Sequence, residues 1–281
     1  MSNRRDFLIK SSALAAGTII FPSWINFEAS EKVKNIGVQL YTFRKAMSED
    51  AAGTLKKIAA LGYKEIETAR SSKGHYYGLG AKGMKNICND LGMTLRSGHV
   101  HLDKNWYKTL NEAVESGQEY VIVSSMPSKG QSVSNYSAVA ERFNKAGEAA
   151  KELNLKFGYH NHAYEFESDH GKVLFDVLLD NTQADLVHME LDLGWVIMGG
   201  KNPLDYFKKY PGRFPLWHLK DMNLKEKHST EFGKGSLDIL SMFQHSKESG
   251  LKYAFVEQEE YTSSPMQSMK ENMDYLNQLK Y

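Results

Sequence analysis

Residues 51–68 read AAGTLKKIAALGYKEIET, and this stretch decides the fold. From Ala51 to Leu61 the apolar residues recur at helical spacing. Leu61-Gly62 then stops the helix, because glycine takes the left-handed backbone that a helix end often needs, and Tyr63 to Thr68 follows as a short β-rich run. Helix, glycine stop and strand make one unit of a parallel β/α fold. Working outward, the unit recurs in both directions. The strand candidates are Asn35 to Tyr41, Tyr63 to Thr68, Thr94 to His101, Tyr120 to Ser124, Leu155 to His162, Leu186 to Asp192, Pro215 to Lys220 and Tyr253 to Glu257. Further helices are expected over Ala81 to Leu91, Tyr136 to Leu153, Leu174 to Leu179, Leu237 to Ser249 and Pro265 to Leu279, with glycine stops again at Gly92, Gly117 and Gly250.

Eight such units in about 250 residues suit a closed (β/α)8 barrel, whereas an open doubly wound sheet more often uses five to seven strands. No GxGxxG follows the first strand, which runs straight into Thr42, Phe43 and Arg44, so a dinucleotide site has little support. We therefore expect the α/β class and a single TIM barrel over residues 31–281, with no linker or shift in composition inside it.

The 281 residues are 41% apolar and 25% charged, an ordinary globular balance able to bury a substantial core. Lys plus Arg number 35 against 34 Asp plus Glu, so nothing suggests the clustered cationic surface that nucleic acid demands. Cys88 is the sole cysteine, which excludes an intrachain disulfide and a zinc–thiolate site. Residues 1–30 differ in character. Arg4-Arg5 precedes Asp6, Phe7 and Leu8 and then an apolar, small-residue run from Ser11 to Phe21, the pattern of a twin-arginine (Tat) signal. Export by the twin-arginine machinery to the periplasm or beyond is the expectation, with an amphipathic or anchoring helix as its rival.

In a barrel of this kind the loops after the strands build the reactive face, so polar residues at strand ends carry information. Glu67 closes the second strand; His99 and His101 close the third; His160, Asn161 and His162 the fifth, with Glu165 and Glu167 beyond. Glu190 and Asp192 end the sixth strand, His218, Lys220 and Asp221 the seventh, and Glu257 and Glu259 the eighth. One histidine at a strand end is more often structural than a ligand. Convergence of many changes that weighing, since buried carboxylates and imidazoles are costly unless paired or bound to a cation. Oxygen and nitrogen donors without thiolate suit Mn²⁺, Mg²⁺, Co²⁺, Fe²⁺ or Zn²⁺. Alternation puts Lys156, Gly158, His160 and His162 on one face of their strand and Leu186, His188, Glu190 and Asp192 on one face of theirs. His188 and Glu190 are expected in a polar layer lower in the barrel.

The chain resembles the sugar phosphate isomerase/epimerase group of the xylose isomerase-like barrel superfamily, which includes inosose dehydratases and 3-keto-sugar enzymes, over roughly residues 33–281. The resemblance rests on Gln39-Leu40-Tyr41, Gly62-Tyr63 leading to Ile66-Glu67, Tyr159-His160-Asn161-His162, Leu191-Asp192-Leu193-Gly194-Trp195 with Gly199-Gly200, Arg213 before Trp217-His218-Leu219-Lys220-Asp221, Gly233-Lys234-Gly235, and Glu257. It implies a divalent cation held by Asp192, His218 and Glu257 and by a fourth ligand. Many relatives have Glu-Asn-His where this chain has His160-Asn161-His162, so either His160 replaces the carboxylate or Glu165 supplies it; His160 is favoured.

The chemistry implied is proton abstraction next to a carbonyl of a sugar or keto-sugar, through an enediolate, by a metal-dependent isomerase or epimerase. Glu257 is the first candidate for acid–base work. Glu165 and His162 are candidates for its counterpart; Lys220 either steadies the enediolate or pairs with a carboxylate such as Asp221. Tyr41, Glu67, His99 and Trp195 are expected to bind substrate, Trp195 by stacking, while the other tryptophans belong to the core. Export favours a free sugar over a phosphorylated one, and a lyase or hydratase acting on a 3-keto-glycoside is a close variant. The rivals are an endonuclease-like metal-dependent hydrolase and a non-catalytic exported sugar-binding barrel. A homo-oligomer is compatible with all of these.

Overall fold

The computed structural model describes Val33 and residues 36–281; the export signal expected over residues 1–30 lies outside the described residues. Eight strands close into one barrel: β1 Gly37–Gln39, β2 Glu65–Thr68, β3 Thr94–Val100, β4 Tyr120–Val123, β5 Lys156–His160, β6 Val187–Asp192, β7 Leu216–Leu219 and β8 Tyr253–Val256. Neighbours in sequence are neighbours in space, β8 returns to β1, and every pair is parallel. The expected α/β barrel is the observed fold.

The strands end sooner than their apolar runs suggest. β1 stops at Gln39 because Leu40–Phe43 winds into a 3₁₀ turn, where the Gln39 side chain accepts the N–H of Tyr41. β5 stops at His160 and leaves Asn161 and His162 to the loop. The helix expected over Leu237 to Ser249 is two pieces, Ile239–Gln244 and Ser246–Ser249, broken at His245, whose Nδ1 lies 2.9 Å from the carbonyl oxygen of Ser241. The long helix begins at Val133, before the expected Tyr136, because Ser132 caps it by accepting the N–H of Asn135. All four glycine stops take positive φ, +99° at Gly62, +67° at Gly92, +75° at Gly117 and +83° at Gly250.

Two cores result. The larger packs the outward strand faces against the surrounding helices and includes Trp217, stacked on Phe207 at 5.0 Å. The smaller is a plug inside the barrel, Tyr120, Ile122, Leu216 and Phe255. Glycine makes room for it: a Cβ at Gly37 would stand 2.4 Å from Phe255 Cδ1, and one at Gly158 would stand 2.6 Å from Ile122 Cδ1. Fully burying one such aromatic contributes roughly 1.5–3 kcal/mol, so the plug is a firm floor. Beneath it His188 meets the ring of Tyr120 edge-on at 5.8 Å, and Arg96 pairs with Glu65 at 2.7 Å. Above it the inward side chains are polar. Register sets Gln39 beside Glu67, His160 beside Glu190 and Asp192 beside His218.

His188, at the closed end, lets the floor be tested by pH. Burial, reinforced by Lys156 and Arg213, lowers its pKa from 6.5 to about 4. Between those values the unfolded chain holds a proton that the folded chain does not, so the stabilising contribution present above pH 6.5 is lost as pH falls through about 4. Urea unfolding from pH 7 to pH 4 should therefore show a steeper loss of stability for the natural protein than for His188→Gln. Parallel curves would refute the assignment.

Candidate active site and metal centre

At the open end, Asp192 shows how the local fold aims a side chain. It is the N-cap of helix Leu193–Met198: Oδ1 accepts the N–H of Trp195 at 2.8 Å, while its own N–H is held by Asn161 Oδ1 at 3.0 Å. Oδ2 is left buried and without a well-formed hydrogen bond. His218, at the next position around the barrel, is equally constrained. Its Nε2 lies 2.7 Å from Glu67 Oε1 and its Nδ1 lies 3.0 Å from Glu257 Oε2, with Gln39 Nε2 donating to the same Glu67 oxygen at 2.8 Å. His160, 2% exposed, has an Nδ1 that makes no hydrogen bond.

Donor atoms of His160, Asp192, His218 and Glu257 all fall within 4.8 Å of one another, and all four residues are buried. Two of the four, His160 at Nδ1 and Asp192 at Oδ2, have buried atoms without a hydrogen bond, and their convergence with His218 and Glu257 fits a divalent cation. The carboxylate–imidazole contact from Glu67 to His218 is the kind of outer support that fixes a ligating histidine. This set could hold a metal; its chemistry, two imidazoles and two carboxylates, does not select one ion.

Charge in this space is balanced internally. Burial raises the carboxyl groups of Asp192 and Glu190, whereas Glu67 and Glu257 are held well below the usual range because His99 and His218, and Lys220 and His218 respectively, outweigh burial. Burial lowers His99, but Glu67 and Glu190 raise it to about 9; His218 is raised in the same manner by Glu190 and Glu257. His160 goes the other way, pushed well down by burial and then by His218 and His99 beside it. Lys220 is fully buried, with Nζ at 3.1 Å from Asp192, 2.8 Å from Glu257 and 2.7 Å from Glu259. These three carboxylates raise it well above its ordinary value against the effect of burial. Its expected partner Asp221 is engaged elsewhere: its carboxylate accepts the N–H groups of Met222, Gly233, Gly235 and Leu237 and shapes that loop.

Glu165 is not brought to this centre. It lies on the 3₁₀ turn Tyr164–Phe166, where its carboxylate takes the hydroxyl of Tyr159 and the N–H of His162. Tyr159 belongs to the odd face of β5, packed on Phe143 of the surrounding helix, so Glu165 is drawn behind the barrel wall. Burial raises its pKa to about 7 even though these donors favour the anion. Glu165 thus stands outside the four-donor group at the mouth. Glu190 departs from expectation in the other direction. His188 does sit low, but Glu190, fully buried, reaches His99 Nε2 at 2.8 Å and His218 Nε2 at 3.2 Å. Inward parity was the signal for it; only the register against β5 and β7 shows how high it stands.

Among the expected substrate contacts, Trp195 and His162 are on the rim with rings 5.9 Å apart, and the Lys220 ammonium is 4.7 Å from the Trp195 ring. With Tyr164, stacked on His162 at 5.5 Å, they line a groove of about 520 Å³. Burial and then Lys220 lower His162 to a pKa of about 4. Glu67 and His99 lie deeper, committed to the buried network. Tyr41 is 39% exposed at the edge, its ring covered by Arg44 at 4.7 Å.

Comparison with known proteins follows this geometry. Residues 55–279 match the family described as xylose isomerase-like TIM barrel. An inosose dehydratase of Clostridium perfringens is 34% identical over 91 residues, 32% of this chain and 30% of the relative, so the likeness spans under a third of that protein. The crystal structure of a sugar phosphate isomerase/epimerase from Parabacteroides distasonis superposes with a TM-score of 0.77 at 25% identity, covering 89% of this chain and 96% of that one. A 3-keto-D-glucoside 4-epimerase from E. coli aligns with a TM-score of 0.66 at 14% identity over 86% of this chain and 98% of its own, a likeness of fold alone.

Two substitutions separate the donor set from its surroundings. Asp192→Asn should weaken Mn²⁺ binding at least about 100-fold, the upper range for loss of even an outer-shell partner, whereas Glu165→Gln should leave it within a few-fold. Titration calorimetry on the metal-stripped protein decides; equal losses in both variants would overturn the placement.

Proposed function

The chain belongs to the xylose isomerase-like TIM barrel family, and from that premise we propose that it is a sugar-modifying enzyme, a divalent-metal-dependent isomerase or epimerase acting on a sugar or keto-sugar. The observation that carries this is the convergence of His160, Asp192, His218 and Glu257 at the barrel mouth beside the buried ammonium of Lys220. A divalent ion held by those four residues would polarise a substrate carbonyl and stabilise negative charge on its oxygen. Glu257, kept ionised by Lys220 and His218, takes a proton from the carbon next to that carbonyl. Lys220 is held firmly protonated by its three carboxylates, so Nζ serves by attraction, steadying the enediolate oxygen while the hydroxyl proton of the deprotonated carbon passes to the former carbonyl oxygen and Glu257 returns its own proton to the former carbonyl carbon. Such a shift needs one base. Inversion needs a second acid–base group on the opposite face to deliver a proton to the same carbon, and His162 on the rim is the candidate for it. Trp195 and Tyr164 offer ring faces for stacking a sugar.

A dehydratase reading shares the first step and is favoured by the inosose dehydratase similarity; the proton that Glu257 took then goes to a β-hydroxyl, which leaves as water, and not back to carbon. Free keto-sugars and inosose incubated with the metal-loaded protein in deuterium oxide separate the readings by NMR. Deuterium next to the carbonyl in recovered or isomerised sugar supports the isomerase, and an enone absorbance supports the dehydratase. Glu257→Gln should slow either about 10²- to 10⁴-fold. Neither exchange nor enone with any of Mn²⁺, Mg²⁺, Co²⁺, Fe²⁺ or Zn²⁺ would sink both.

The proposal includes export. The Arg4-Arg5 segment supports a non-phosphorylated substrate met outside the cytoplasm. Cell fractionation should find the natural chain outside the cytoplasm and an Arg4→Lys/Arg5→Lys variant retained within; identical cytoplasmic retention of both would refute it.

A further inference from the structure

Below the four donors at the mouth, a single oxygen gathers three imidazoles. Glu190 Oε2 stands 2.8 Å from His99 Nε2, 3.2 Å from His218 Nε2 and 3.4 Å from His160 Nδ1. Donors around a tetrahedral ion with bonds of 2.0–2.1 Å are spaced about 3.3 Å apart, so three of the six edges already have near that length. Donor atoms of these four residues lie within 4.8 Å of one another, and their exposures are 7% for His99, 2% for His160 and 0% for Glu190 and His218. His160 Nδ1 and Glu190 Oε1 are buried without a hydrogen bond, as donors awaiting a cation would be.

We propose that His99, His160, Glu190 and His218 form a second, deeper metal position, and that nitrogen-preferring ions take it in place of the upper one. The inference rests on the reading that the mouth binds a divalent cation, and not on the sugar chemistry. Both positions draw on His160 and His218, so filling one strips the other of two donors. The deep set offers three imidazoles and one carboxylate, the upper set two of each. Zn²⁺, Co²⁺ and Cu²⁺ favour the former, while Mn²⁺ and Mg²⁺ favour the latter. Glu67, with Oε1 at 2.7 Å from His218 Nε2 and 3.2 Å from His99 Nε2, flanks the deep position as a further carboxylate. An ion held there lies below Asp192 and Glu257, which keep Lys220 as their counter-charge.

Anomalous diffraction on crystals of the full chain soaked in Zn²⁺ or in Mn²⁺ locates the ion without any substitution. Zn²⁺ is expected within bonding distance of His99 Nε2, and Mn²⁺ within bonding distance of Asp192 Oδ2. In solution, His99→Gln should weaken Zn²⁺ binding about 10- to 100-fold and leave Mn²⁺ within a few-fold, with Asp192→Asn giving the reverse. Both ions at the upper position, or a Zn²⁺ affinity untouched by His99→Gln but lost in Asp192→Asn, would overturn the deep position alone. No ion bound by the natural protein would overturn the donor reading of the whole mouth.

Discussion

Four carboxylates, those of Glu67, Glu190, Asp192 and Glu257, come within 4 Å of the His218 ring, at 2.7, 3.2, 3.8 and 3.0 Å. Burying that much negative charge without compensation would cost several kcal/mol per ion. The remainder of the barrel interior answers this demand. His99 braces the pair formed by Glu67 and Glu190 from one side, and Lys220 braces Asp192 and Glu257 from the other. His160 is driven the other way, down, by burial and then by His218 and His99.

The apolar plug below serves the same end. Ile122, Leu216 and Phe255 close the barrel from beneath, so the polar floor has water on one side only, and the effective dielectric around it stays low. Interactions of His218 and Lys220 with their carboxylates gain strength from that enclosure. The two inner glycines, Gly37 and Gly158, are the cost of fitting the plug, since any larger residue there would collide with it.

Much of this was legible in the residues, and the limits of legibility have a physical origin. Period, length and glycine stops located all eight strands because each is a local property. Parity put His160, Glu190 and Asp192 on inner faces for the same reason. Stagger between strands is a tertiary quantity, set by closure of the barrel, and it decides that Glu190 reaches His99 while His188 stays with Tyr120 at the closed end. A loop residue such as Glu165 has no parity to read, and its carboxylate takes the hydroxyl of Tyr159, on the outer face. Lys220 pairs across strands with Asp192 and Glu257 and not with its neighbour Asp221, whose oxygens four backbone N–H groups had already taken.

Asp192 and His160 bear unequal structural duties. One Asp192 oxygen anchors a helix start while the other faces the mouth, so a change of side chain there must be tolerated twice over. His160 Nδ1 anchors nothing. A change of side chain at Asp192 therefore disturbs a helix start as well as the mouth, whereas one at His160 breaks no hydrogen bond at Nδ1 and acts on the mouth alone.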